Sequence, residues 1–131
     1  MATLIPTLTL ASTDITANET LNLSVTDVLA LGAQKMKKSA IFSPNDLDPG
    51  GPKIFSTAQG KSYIYAKNIH ASLQIYLAAA STTAANATWM HLAPGEFAFF
   101  PWSGLVDIFA HTGADGQGIA VAGLEVMIFE A

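Results

Sequence analysis

The chain has 131 residues, the size of one ordinary domain, and half of it is apolar against 12% charged, which excludes an intrinsically disordered chain. Six basic residues, all lysine, against ten acidic ones leave a net charge of -4, so the arginine-rich positive stripe of a nucleic-acid binder is missing. With no cysteine, disulfides, thiolate metal sites and thiol nucleophiles are excluded as well.

Residues 1–23 carry no Lys or Arg ahead of an apolar block and are interrupted by Pro6 and several threonines. Neither a signal peptide nor a membrane span is expected there, and no run of about 18 apolar residues occurs elsewhere. Residues 3–10 alternate weakly around Pro6, which cannot donate a ladder hydrogen bond. They read either as an extended arm that adds to a neighbour's sheet edge or as an edge strand of their own domain. Leu21, Leu23 and Val25 alternate with Asn22 and Ser24, the pattern of a half-buried strand. Over 25–36, Val25, Val28, Leu29, Gly32 and Met36 partly match a helical stripe, with Thr26 or Asp27 as its cap. Gly32 interrupts that stripe and the flanks read as strand, so a strand plus turn is preferred over a short helix.

Period two then dominates. Tyr63, Tyr65 and Lys67 share one face of a strand over 62–69, with Ile64 and Ala66 on the other. Leu73, Ile75 and Leu77 line the next segment, with Gln74 and Tyr76 opposite. Further strands are expected over 88–92, 96–100, 105–111 and 123–130, and their β-branched and aromatic content favours strand over helix. Loops or turns are expected at 49–52, 58–61, 82–86, 94–95 and 115–118. Strands spaced in this way predict an all-β chain, a jelly-roll-like antiparallel β-sandwich of roughly eight strands. It forms a single domain over 1–131, with residues 1–12 as an N-terminal arm or edge strand.

Chemistry-bearing residues are scattered. His70, His91 and His111 lie about twenty residues apart without an HxH or HxxE pair, so solvated or hydrogen-bonded histidines are expected rather than a metal site. Asp46 and Asp48 sit in NDLDPGG, which lacks the ligand spacing of a calcium loop. Nothing in the spacing pairs Glu96, Asp107 or Glu125 as acid and base. GADGQGIA has neither the strand–turn–helix context nor the lysine of a phosphate loop, and there is no GxSxG elbow. The sequons at Asn18, Asn22 and Asn86 matter only for a secreted chain. No catalytic residue, metal or cofactor is expected.

The most informative segment is LAPGEFAFFPW, residues 92–102. After the Pro94-Gly95 turn, Phe97 and Phe99 point one way and Ala98 and Phe100 the other, and Pro101 is expected to stop the strand. The last strand, GLEVMIFEA, is also apolar on both faces. Two-sided strands are buried on both sides or covered by another subunit. A mean hydropathy of +0.36 adds to the expectation of an oligomer.

The order KSYIYAKNI, SLQIYL, WMHLAPGEFAFFPW, DIFAHTGADG and GLEVMIFEA resembles small β-sandwich virion proteins of tailed bacteriophages. The likeness covers residues 61–131, and its motifs are structural rather than catalytic. It implies a non-enzymatic structural protein, foremost a capsid decoration or cement protein made in the bacterial cytoplasm and carried on the capsid surface. Such a chain would be a homotrimer bound to the major capsid protein. Lattice contact is expected from Leu4, Ile5, Thr7, Leu8 and Leu10, and subunit packing from Phe99, Phe100, Trp102 and Phe109. Three alternatives stay open. A neck, tail or fibre component would share the fold; a carbohydrate-binding module would stack sugars on Trp89, Trp102 and Tyr76; a cupin-like metalloenzyme would need metal-binding histidines on the strand before the turn, where His91 stands alone and counts against it.

Overall fold

The computed structural model describes residues 2–16, 19–31, 38–42, 53–56, 61–79, 88–112 and 123–130, and all their regular structure is antiparallel β-strand. The expected all-β architecture is thus present. The loops expected at 49–52, 82–86 and 115–118, most of 58–61, and Asp46, Asp48, Asn18 and Asn86 lie outside the described residues. Contacts divide the chain into two compact units, residues 1–35 with 131, and residues 36–130.

The first unit is a two-stranded ribbon. Strands β1 (Ala2–Leu4) and β2 (Thr7–Thr16) run against β3 (Glu19–Thr26) and β4 (Leu29–Leu31), with Leu4 opposite Leu29 and Leu8 opposite Val25. Pro6 separates β1 from β2 because it has no N–H to give, and its carbonyl instead accepts the Asp27 N–H at 3.1 Å. Asp27 Oδ1 accepts the Val28 N–H at 2.7 Å. Asp27 therefore shapes a waist in the ribbon and caps no helix. The first dozen residues pair within their own chain, on β3 and β4 of the ribbon.

The second unit builds two four-stranded sheets. One has the order β10 (Phe97–Trp102), β7 (Ser62–Asn68), β12 (Leu124–Glu130), β5 (Lys38–Phe42); the other runs β6 (Lys53–Phe55), β11 (Ile108–His111), β8 (Ile75–Ala78), β9 (Thr88–Leu92). Every chain connection from β5 to β12 passes from one sheet to the other except β8 to β9. Alternation does the rest. Ile64 and Ala66 of β7 and Val126 and Ile128 of β12 meet Ile75, Leu77, Ile108 and Ala110 of the second sheet in one core. Burying a side chain of that size contributes about 1.5–3 kcal/mol.

Two polar devices fix one end of this sandwich. Asn68, fully buried, donates from Nδ2 to the carbonyls of Leu73 at 2.8 Å and Leu92 at 2.9 Å, and its Oδ1 accepts the His70 N–H at 2.9 Å. Beside it, residues 93–96 form a turn closed by Glu96 N–H to the Ala93 carbonyl at 2.9 Å, with Gly95 at φ +84°. Pro94 followed by a left-handed glycine is the chemistry of a type II turn. Pro101 does not stop its strand as expected: β10 lies at the edge of its sheet, where a missing N–H costs no ladder bond. The strand expected over 105–111 begins only at Ile108.

Candidate functional site

Among the described residues the exposed surface offers two apolar faces, one on each unit. On the ribbon, directly opposed residues share a face, so Leu8 with Val25, Leu10 with Leu23 and Ser12 with Leu21 make three rows on one side. Thr7 with Thr26, Thr9 with Ser24 and Ala11 with Asn22 make the other side, where the Thr7 and Thr26 hydroxyls lie 3.1 Å apart. The leucine side is open: Leu8 is 51% exposed and Val25 50%. The strand over 21–25 was expected to be half buried, and its apolar side is instead exposed, because a two-stranded ribbon has no second layer of its own.

On the sandwich, the outer face of the first sheet is aromatic. Its rows are Phe97–Lys67–Glu125, Phe99–Tyr65–Met127 and Pro101–Tyr63–Phe129 across β10, β7 and β12. Tyr63 stacks with Phe99 at 6.2 Å between ring centroids and 6° between planes, and Phe99 also meets Phe129 at 6.5 Å. Phe97 is 64% exposed. Burial pushes the Tyr65 phenol above its ordinary pKa; the Glu125 carboxylate beside it adds to the rise by charge and by accepting a hydrogen bond.

The expected subunit contacts lie in different parts of the sandwich. Phe99 belongs to the aromatic face. Phe100 points inward against the core and meets Trp89 edge-on at 5.3 Å. Trp102 is 6% exposed and packs on Phe55 at 5.9 Å, so its ring is used inside its own chain rather than between subunits. Phe109 is half-buried on the second sheet under the Lys53 ammonium, 5.7 Å from the ring centroid. Of the expected lattice residues, Leu8 and Leu10 lie on the leucine side, Thr7 on the hydroxyl side, Ile5 at the exposed waist, and Leu4 is half-buried beside it. Sequence reading overlooked Phe97, Leu23 and Val25 as surface groups, although the alternation of YxYxK and of FxFxP carries six of the sheet's outer positions.

The candidate chemical groups have local partners. His70 Nδ1 accepts the Ser72 and Leu73 N–H groups at 3.1 and 2.9 Å. His91 and His111 stack on opposite sides of the Tyr76 ring, at 5.0 and 5.2 Å. Glu96 accepts the Ala93 N–H at 2.7 Å, and Asp107 pairs with Lys53 at 2.6 Å. Among the described residues no cluster of His, Asp or Glu is placed to hold a metal ion. Of the three rings named for sugar stacking, Trp102 is buried against Phe55 and offers no open face. No protein family, curated protein or solved structure matches the chain.

Proposed function

We propose that this chain is a non-enzymatic structural protein of a tailed-phage virion, a decoration or cement protein that binds between major capsid subunits and stabilises the mature shell. The observation that carries the reading is the uncharged leucine side of the ribbon, with Leu8 and Val25 half exposed on a sheet of two strands. A hairpin of that kind is marginal in water by itself, and its apolar side gains from a protein cover. The strand order of the sandwich supports the jelly-roll form of the fold, in which strands one, eight, three and six of a series face strands two, seven, four and five.

The action is thermodynamic, with no bond made or broken. Leu4, Ile5, Thr7, Leu8 and Leu10 meet neighbouring chains of the shell, and Phe99 and its aromatic neighbours pack copies into a trimer. An interface of standard size buries about 800 Å² per partner. Three linked footprints bind as one, and binding only to the expanded lattice stabilises that lattice by mass action. The experiment is co-sedimentation with expanded shells that lack this chain. Wild type pellets with the shells in stoichiometric amount, and Ile5→Glu loses at least tenfold in affinity. Wild type left in the supernatant at micromolar concentration ends the reading.

A further inference from the structure

We propose that the cleft at the Asn68 end of the sandwich binds one oxyanion, a carboxylate or a phosphate group, between the Lys67 ammonium and the Nε2–H of His70. The cleft holds about 440 Å³, with residues 67–71 along one wall and Pro94-Gly95 along the other. Its walls are tied before any ligand arrives. The Gly95 N–H donates to the Asn68 carbonyl at 3.0 Å and the Asn68 N–H to the Glu96 carbonyl at 2.9 Å, which joins the two walls backbone to backbone. The Ile69 N–H donates to the Gly123 carbonyl at 2.8 Å. Walls fixed in this way spare a ligand the cost of ordering them.

His70 supplies the first donor. Its Nδ1 accepts the Ser72 and Leu73 N–H groups at 3.1 and 2.9 Å, so the hydrogen of the neutral ring sits on Nε2. Among the described residues nothing accepts from Nε2. A Cβ at Gly123 would stand 3.3 Å from the His70 Cβ, and the bare glycine there leaves the imidazole its place. Lys67 supplies the second donor. Glu125 stands opposite it in register, yet that carboxylate accepts from the Tyr65 hydroxyl instead. Lys67 is half-buried and has no ion pair among the described residues, whereas Lys53 is paired with Asp107 at 2.6 Å. The Glu96 carboxylate accepts the Ala93 N–H at 2.7 Å and lies outside the cleft's lining. In a chain of net charge -4, a cleft lined by a lysine and a histidine donor, with no carboxylate, reverses the sign locally. An oxyanion gives each donor the acceptor it lacks, one oxygen to each.

The test is an NMR titration of the full chain with inorganic phosphate and, separately, acetate, at an ionic strength held constant with sodium chloride. The amides of residues 69–71 and 95 and the His70 Nε2 resonance move on one saturable curve, with a dissociation constant of ~1–10 mM for two donors in an open cleft. Lys67→Met keeps the aliphatic stem, removes the charge and weakens binding about tenfold. His70→Asn keeps an acceptor for the Ser72 and Leu73 N–H groups, removes the second donor and weakens binding ~3–10-fold. Saturation by phosphate alone narrows the ligand to a phosphate group, and saturation by acetate as well admits a carboxylate side chain. Shifts that climb without saturating up to ~50 mM, the behaviour of an adventitious ion only, overturn the proposal. So does a Lys67→Met chain that titrates like wild type, and that variant, at a half-exposed position, decides alone if His70→Asn does not fold. No shells enter this assay, so its failure leaves the decoration reading untouched, and failure to bind shells leaves this cleft standing.

Discussion

The ribbon and the sandwich are written in the same alphabet and end in opposite environments. Leu21, Leu23 and Val25 alternate with polar residues just as Ile64 and Ala66 alternate with Tyr63 and Tyr65. Yet Leu23 and Val25 are 41% and 50% exposed, while Ile64 and Ala66 are almost wholly buried. The difference is the second layer. The sandwich carries its own, as the two four-stranded sheets share one core; the ribbon is a single layer of two strands. Alternation therefore specifies that a strand has two unlike faces, and leaves open whether the apolar one is covered from within the chain or from outside.

The largest effect that would sharpen this contrast comes from Asn68. Asn68→Ala strands the carbonyls of Leu73 and Leu92 and the His70 N–H, and leaves a small void at a fully buried site. A loss of about 3 kcal/mol or more is expected in urea unfolding of the isolated chain. A loss below ~1 kcal/mol would mean that this end of the sandwich is held by something else. Next comes Val126→Thr, which keeps the shape of a side chain 1% exposed and places a hydroxyl in the core. It is expected to cost about 2 kcal/mol.

How much of this was legible follows the same division. The strand assignments over 62–69, 88–92 and 123–130 rested on period two and matched, because each inner face found a partner inside the chain. The Pro94-Gly95 turn was legible because proline presets the second position of such a turn and glycine suits the positive φ of the third. Pro101 misled, since its effect depends on whether its strand is central or at an edge, and that is fixed by pairing with distant residues. Trp102 misled for a related reason: a ring after a two-sided strand can serve core or interface, and its contact with Phe55, 47 positions earlier, decides for the core. Phe97 and Phe99 were placed on one side by alternation, but the partners that make that side aromatic come from β7 and β12.

A smaller effect tests how covered that aromatic side is. Tyr65 has its pKa raised in the folded chain, first by burial and then by Glu125. A raised folded value means that the stability it contributes is complete below the unfolded tyrosine range near 10 and is lost as pH climbs through the folded value. Ultraviolet titration should show one tyrosine ionising late, and Tyr65→Phe should remove both that late step and its share of the alkaline loss of stability. Glu125→Gln should bring the step earlier without abolishing it, since burial is the leading cause. A late step that persists in Tyr65→Phe would show that Tyr65 is not the group whose ionisation is delayed.

The smallest effect is the most telling. Val25→Thr makes on the ribbon the same change that Val126→Thr makes in the core, and threonine is as content in a strand as valine. At 50% exposure the new hydroxyl keeps its water, so unfolding of the dilute, unassembled chain should shift by no more than about 0.5 kcal/mol. If a partner covers the leucine side, the same hydroxyl loses its water there, and that binding should weaken by roughly three- to thirtyfold, the equivalent of ~1–2 kcal/mol. One substitution that is silent in the separate chain and costly in the assembled one locates the ribbon's missing layer in another molecule. Were the cost equal in both states, the ribbon would already be covered within its own chain, and the contrast between the two units would dissolve.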